Sequence, residues 1–407
     1  MPELLDYHDA LNALLNTHTP VSGEEPVRLG ELARRVLSRA VVVQHDVPAF
    51  DNSAMDGYAI CGNDRRRWDV VQRVAAGDSC KQGLLAGQAA RIFTGAPVPP
   101  GATAVLMQER VVVEGEGRVI ALPADEADPI EEGLNIRRQA EELRQGEVML
   151  PKHLRLTPAA IGLLSAQGYT HVFCLPRLRV TVFSSGNELV EPGESLKTGQ
   201  IYDSNRHMLV ALLQEQGFEV TDGGILPDHF ETTRNALVEA ARSSHAIVCS
   251  GGVSVGEEDH LKAALSDAGE LTQWRLFIKP GKPFAWGHID SCRVFMLPGN
   301  PVSSLVTFRQ LALPALLRLA GLPVEDARPW AIHAKADFER GKTEARREFV
   351  RVNLHAGQHG YQVVPQARQG SAMLTGVAFA QALAEIPPGA VVTRGMDLTV
   401  YPLADRF

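Results

Sequence analysis

The sequence is short of cysteine, of aromatic residues and of surplus positive charge, and each shortage removes a class of protein. Five cysteines (Cys61, Cys80, Cys174, Cys249 and Cys292) are scattered with no CxxC pair, so neither a disulfide framework nor a thiolate zinc site is predicted. Aromatics are 6% of the residues, and 40 Lys+Arg stand against 48 Asp+Glu, a net charge of −8. That balance argues against general polyanion binding, and no basic stripe interleaved with aromatics offers a nucleic-acid platform. No long apolar run is present. The longest uncharged stretch, Leu156 to Pro176, holds two prolines, two glycines, Gln167 and His171, and reads as a helix followed by a buried strand rather than a membrane span. The opening MPELLDYHDALNALLN has no early Lys or Arg and no unbroken apolar core, so no secretory signal is expected there. The reading is a reduced, soluble, cytoplasmic protein with no nucleic-acid or membrane partner.

What is present is ordinary globular texture, with 45% hydrophobic and 22% charged residues over 407 positions. At about 150 residues per domain this predicts two to three domains or more. Helical spacing of Leu11, Leu14, Leu15, then Val27, Leu29, Leu32, Val36 and Leu37 predicts helices through residues 3–40. Short β-rich runs broken by Gly and Pro follow to about residue 139, and helix and strand return over 140–176. The expected division is a helical and mixed linking domain (1–45 with 140–176), a β-rich inserted domain (46–139), an α/β domain (177–326) and a C-terminal β domain (327–407). For the last, a small β-barrel is expected, with a sandwich as the alternative. In the third segment strands alternate with amphipathic helices, which predicts a doubly wound, mostly parallel sheet. Gly217 is placed to end one helix and Asn300–Pro301 to begin another.

Ligands of such sheets bind beyond the carboxyl ends of the strands. Those ends carry Glu188, Asp228, the loop Gly251-Gly252-Val253-Ser254-Val255-Gly256 with Asp259, the turn Lys279-Pro280-Gly281-Lys282, and Pro298-Gly299-Asn300-Pro301. The glycine loop can present backbone N–H groups to an anion. It is neither a Walker loop nor a dinucleotide fingerprint, and by itself it serves a tight strand-to-helix turn equally well. Lys279 and Lys282 bracket a rigid turn and can aim two cations at an oxyanion. Glu188, Asp228 and Asp259 are hard oxygen ligands that suit Mg²⁺, although Asp228 and Asp259 also stand where helix caps would. No HExxH is present, and His355 and His359 flank a glycine and read as surface residues of a turn.

These strand-end loops belong to a longer series of segments, FDNSAMDGYA, RIFTGAPVPPGATAVLMQE, NIRR, GQIYDSN, SGGVSVGEED, IKPGKPFAWG, LPGNPVSSLVTF and RQGS, in that order, of which the first two lie outside the α/β domain. Together they resemble the molybdopterin molybdenumtransferase family, related to the C-terminal domain of gephyrin, and cover nearly the whole chain from about residue 47 to 371. The resemblance implies a four-domain subunit in a homodimer whose site is closed across subunits. It implies that molybdate and adenylylated molybdopterin react, with Mg²⁺, to give molybdenum cofactor and AMP. It also implies dealings with molybdopterin adenylyltransferase and downstream cofactor-processing proteins. The functional positions it carries over are Asp56, Thr94, Glu188, Asp228, Asp259, Lys279, Arg351 and Ser371. Gly251, Gly252, Ser254, Gly256, Lys282, Asn300 and Ser303 join them as substrate-binding candidates. Glu188, Asp228 and Asp259 are the expected metal ligands, and Lys279, Lys282, Arg351 and Ser371 the expected molybdate contacts. Three positions depart from the family pattern: Asn187 replaces an aspartate, Ala140-Glu141-Glu142 replaces Gly-Glu-Asp, and Arg275 replaces a frequent lysine. The alternatives are a non-catalytic gephyrin-like scaffold, a tungstate-preferring paralogue, or a nucleotide pyrophosphatase or adenylyltransferase.

Overall fold

The computed structural model describes residues 4–125, 128–252, 260–341, 345–357 and 360–404. The chain folds as two compact units: Met1–Arg39 with Lys152–Gly162 and Thr170–Phe407, and Ala40–Pro151 with Leu163–Tyr169.

The smaller unit is built on a six-stranded sheet in the order Ala104–Met107, Gly57–Ile60, Gln88–Ile92, Arg67–Val74, Val119–Ala121, Val112–Glu114. Its strands alternate with period two, and both faces are covered. Tyr58, Ile60, Ala89 and Leu106 enter one core, while Ala59, Ala90 and Val105 enter the other.

In the larger unit the helix Tyr7–Thr17 forms where the leucine spacing places it, with Asp6 accepting from the His8 N–H at 2.8 Å as its cap. The second expected helix does not form. Residues 25–28 are a strand paired antiparallel with His171–Cys174, and Val36 and Leu37 bridge to Arg155 and Cys174. Gly23, Pro26 and Gly30 are poor helix formers, and cross-strand pairing satisfies the backbone instead. The apolar spacing there still reports burial: Val27, Leu32, Val36 and Leu37 are all in the core.

The main sheet has seven strands in the order Leu4–Leu5, Glu270–Leu276, Pro283–Ile289, Cys292–Leu297, Ala246–Ser250, Arg179–Ser185, Glu219–Leu226. The last four in that order run parallel, and Pro283–Ile289 is antiparallel to both its neighbours. The sheet is doubly wound, as the β-α-β alternation predicts. Val180, Val182, Val248, Phe295 and Leu297 face one core with Leu209, Val306 and Leu316, whereas Ile247, Cys249, Val294 and Met296 face the other with Leu237 and Leu265. Gly217 follows the helix Asn205–Glu215 at φ +78°, the left-handed conformation that ends a helix most easily on glycine.

The C-terminal region is a closed five-stranded barrel. Arg347–Gly357, Gly360–Pro365, Ile332–Ala336, Asp397–Pro402 and Ala382–Ile386 pair in succession, and Ala382–Ile386 pairs back to Arg347–Gly357. The two-residue strand Ile278–Lys279 adds to it in parallel, Lys279 opposite Glu348. Between the α/β sheet and the barrel runs a helical stretch, Pro301–Leu319, with a π-helical segment at Phe308–Ala312. Phe308 is fully buried at the start of that segment. Phe308→Ala is expected to cost about 3–5 kcal/mol, read as an earlier urea transition by intrinsic fluorescence. A loss under 1 kcal/mol would mean that the wide turn collapses onto the cavity.

Candidate functional site

The parallel strands end on one cavity of about 880 Å³. Ser184–Ser185, Ser250–Gly252 and Pro298–Asn300 form its floor, each at the carboxyl end of a strand or directly after it. The approach is tight. Gly251 has φ +99°, and a Cβ there would lie 2.3 Å from the Ser185 carbonyl oxygen, so only glycine fits. Asn205, 8% exposed, fastens two of these loops: its Nδ2 donates to Ser250 Oγ at 2.8 Å and to the Gly299 carbonyl at 2.6 Å.

Beside Asn205, Asp203 is 1% exposed and accepts from Ser184 Oγ at 3.0 Å and from Arg206 Nε at 2.9 Å. Arg206, also buried, pairs in addition with Asp222 and Glu191. Burial, the largest single influence, pulls the guanidinium down, but the hydrogen bonds it donates to those carboxylates hold it above its ordinary range.

Glu188, Lys279, Lys282, Asn300, Ser303, Ser371, Gly251 and Gly252 all line the cavity. Asn300 is the N-cap residue of the helix Pro301–Thr307 by position, but its side chain makes no capping bond. Ser371 is anchored by its carbonyl, which accepts from the Val302 N–H at 3.0 Å. Asp228 stands behind the floor. Its carboxylate accepts from the Asn187 N–H at 3.1 Å and from Ser185 Oγ at 3.4 Å, and its own N–H donates to Asn187 Oδ1 at 3.1 Å. Asn187 thus makes a reciprocal pair that a carboxylate would make at the expense of like-charge repulsion. Asp228 does not cap the next helix, because the His229 side chain accepts from the Thr232 N–H there. Ser254, Gly256 and Asp259 lie outside the described residues.

Arg351 is placed differently from a direct oxyanion contact. It is 0% exposed and its Nη2 donates to the carbonyls of Arg368 and Gly370, at 2.7 and 3.2 Å. Burial pushes its guanidinium below the ordinary arginine range. On its barrel strand it stands on the face opposite Val350 and Val352, beneath the segment that presents Ser371. Asp56 and Thr94 belong to the smaller unit, where Asp56 Oδ1 accepts from the Thr94 N–H at 2.8 Å and from its hydroxyl at 2.7 Å.

Sequence reasoning missed Ser184, Asp203, Asn205, Arg346 and Gln369, all of which line the cavity. The segment GQIYDSN contains two of them, and a polar triplet before an amphipathic helix is the signal that marks it. Arg346 and Gln369 come from the barrel, whose approach to the α/β rim no local pattern encodes. Among the described residues, no group of three or more His, Cys, Asp or Glu gathers as a ready metal site.

An α/β sheet with a polar, glycine-built cavity at its strand ends, completed by a C-terminal β-barrel, defines a small-molecule-binding α/β protein of several domains. Residues 5–168 match the model of the MoeA N-terminal region (domain I and II), residues 181–318 that of the probable molybdopterin binding domain, and residues 333–403 that of the MoeA C-terminal region (domain IV). The chain is 38% identical over 339 residues to the molybdopterin molybdenumtransferase of Haemophilus influenzae, covering 83% of this chain and 82% of that protein. It is 34% identical over 385 residues to molybdopterin molybdenumtransferase 2 of Mycobacterium tuberculosis, covering 90% and 92%. The solved molybdopterin biosynthesis MoeA protein of Pyrococcus horikoshii OT3 superposes with a TM-score of 0.83 at 28% identity, over 98% of this chain and 100% of that one. The chain belongs to the molybdopterin molybdenumtransferase (MoeA) family of enzymes.

Two outcomes follow from this geometry. Arg206→Met strands buried Asp203 without its cation, and is expected to destabilise the larger unit by about 3–5 kcal/mol in denaturant unfolding; a near-neutral result would mean that water reaches Asp203. The second concerns Asp56, whose carboxyl the Thr94 N–H and then its hydroxyl hold below the usual carboxylate range. A depressed carboxyl stabilises the fold above its ordinary pKa, near 4, and that contribution is lost as pH falls through the lowered value. Thr94→Val removes the hydroxyl, so the Asp56 titration followed by carboxyl NMR is expected to move up toward the ordinary value and to narrow that acidic window. An unmoved titration would mean that the backbone N–H alone sets it.

Proposed function

We propose that this chain inserts molybdenum from molybdate into adenylylated molybdopterin, releasing AMP and forming molybdenum cofactor. The supporting observation is the convergence of Lys279, Lys282, Ser371 and the Gly251–Gly252 backbone on one cavity with Glu188 on its wall. A tetrahedral dianion is recognised by charge-assisted hydrogen bonds from such groups, and the cavity is large enough for a pterin nucleotide beside it. Sulfur ligands for the metal come from the pterin dithiolene, which leaves the five cysteines, buried or half-buried, without a required role. Arg351 acts in this reading by shaping the Gly370–Ser371 segment. The residues do the work by positioning and electrostatics.

Mg²⁺ fits the donor chemistry of the rim. Glu188 supplies a hard oxygen on the cavity wall. Asp228, held by Asn187 and Ser185, and Asp259 are assigned by the resemblance, and an ion that keeps several waters needs no closed protein cage. When bound, it would neutralise charge on the pyrophosphate that joins AMP to the pterin. The Asp56–Thr94 pair enters this reading through the homodimer that the resemblance implies, serving the site of a second copy. A strictly monomeric, fully active chain would defeat that part. The same reading makes molybdopterin adenylyltransferase the supplier of the substrate in the cytoplasm, with downstream cofactor-processing proteins as recipients. No helix among the described residues is long and apolar enough to cross a membrane.

The test follows AMP release and reconstitution of an apo-molybdoenzyme together, against molybdate concentration. Each charge-assisted contact to a small dianion is worth roughly 1.5–3 kcal/mol, so Lys279→Ala is expected to raise the molybdate requirement by about one to two orders of magnitude. Binding of the adenylylated pterin, spread over many groups, is expected to change much less. Equal loss of both would assign the lysine to the pyrophosphate. AMP release without metal transfer would favour a nucleotide pyrophosphatase.

A further inference from the structure

Behind Lys279 lies a carboxylate that none of the site motifs includes. The Glu348 side chain is 4% exposed. One of its oxygens faces Lys279 Nζ at 3.7 Å, and the other accepts from Arg340 Nη2 at 2.6 Å. Lys279 and Glu348 are register partners where the strand Ile278–Lys279 joins the barrel in parallel, so their side chains leave the pair on one face. Backbone pairing therefore fixes the contact.

A lysine ammonium is a point charge on a flexible four-carbon stem. Lys279 is 40% exposed at the cavity, and holding it in one place costs side-chain entropy unless something orients it beforehand. Glu348 is suited to that task. Arg340 takes one carboxylate oxygen in a hydrogen-bonded ion pair, and the longer 3.7 Å separation on the other side draws Nζ without locking it away from the cavity. We propose that Glu348 is a positioning residue for the oxyanion chemistry, holding Lys279 Nζ at the cavity face while Arg340 orients the carboxylate. The proposal rests on reading this cavity as the molybdate site.

A double-mutant cycle in the full-length protein tests it. Glu348→Gln is expected to lower kcat about tenfold when Lys279 is present and less than about twofold on a Lys279→Ala background. The molybdate concentration for half-saturation should rise, but by less than in Lys279→Ala, because removing a negative charge beside the anion offsets part of the lost positioning. Equal losses of kcat on both backgrounds would make Glu348 a structural residue and overturn the proposal. Arg340→Gln, at a half-exposed position, is the second variant should Glu348→Gln unfold; it is expected to show the same dependence on Lys279, and additivity would count against the proposal. A readout independent of turnover is acetylation by an N-hydroxysuccinimide ester, followed by mass spectrometry. Glu348→Gln is expected to raise labelling at Lys279 by roughly threefold, with exposed Lys282 as the unchanged internal control. Unchanged labelling at Lys279 would overturn the positioning role. Increased labelling in a protein that releases no AMP would instead leave Glu348 holding Lys279 and remove the functional reading alone.

Discussion

The parallel pairing of Ile278–Lys279 with Arg347–Glu348 is the constraint on which the candidate site depends. Two residues are a small strand, yet they join the α/β sheet to the barrel and set Lys279 at the mouth of the cavity. The same pairing brings the 345–351 segment alongside, with Arg346 at the cavity and Arg351 beneath the Ser371 segment. Backbone hydrogen bonds make this registration insensitive to side-chain rotamers, unlike a salt bridge between two long side chains. The Pro301–Leu319 helical stretch, almost wholly buried, packs on the same side and adds apolar contact to the polar join.

Buried charge recurs where loops must be held. Arg206 gathers Asp203, Asp222 and Glu191 and so ties the segment that follows the strand Arg179–Ser185 to the neighbouring strand Glu219–Leu226. Glu385, on the face of its barrel strand opposite Ala384 and Ile386, accepts from Tyr401 Oη at 2.6 Å and pairs with Arg347, which also reaches Asp6, the cap of the first helix. Burial pushes the Tyr401 phenol upward, so it stays a neutral donor to that carboxylate. Such groups add little net stability compared with apolar residues of the same shape, because desolvation offsets attraction. Their effect is specificity: each fixes which loop meets which.

Much of the fold was legible in the sequence because its periods were clean. Strands that alternate with amphipathic helices have one common outcome, and the period-two runs of the smaller unit and the barrel do as well. The region 25–37 was not legible in this way. Its apolar residues are spaced as on a helix and are indeed buried, but glycine, proline and an available strand partner at 171–174 decide the backbone. Local periodicity reports which residues are covered more faithfully than it reports how the backbone is paired.

For the site, the sequence alone determined the strand-end loops, their glycines and the lysines that flank a rigid turn, because strand-end chemistry is written in consecutive residues. Only the tertiary structure decided that Asp203 and Asn205 line the cavity, that Asn187 pairs reciprocally with Asp228, and that Arg351 is buried under the 368–370 segment while Arg346 lines the cavity. Arg346 and Arg351 share one stretch of the chain and nothing in their spacing separates their roles. Which of two arginines reaches a cavity is set by strand register, by the twist of a closed barrel and by the side chains already occupying its interior, and these are properties of residues far apart in the chain.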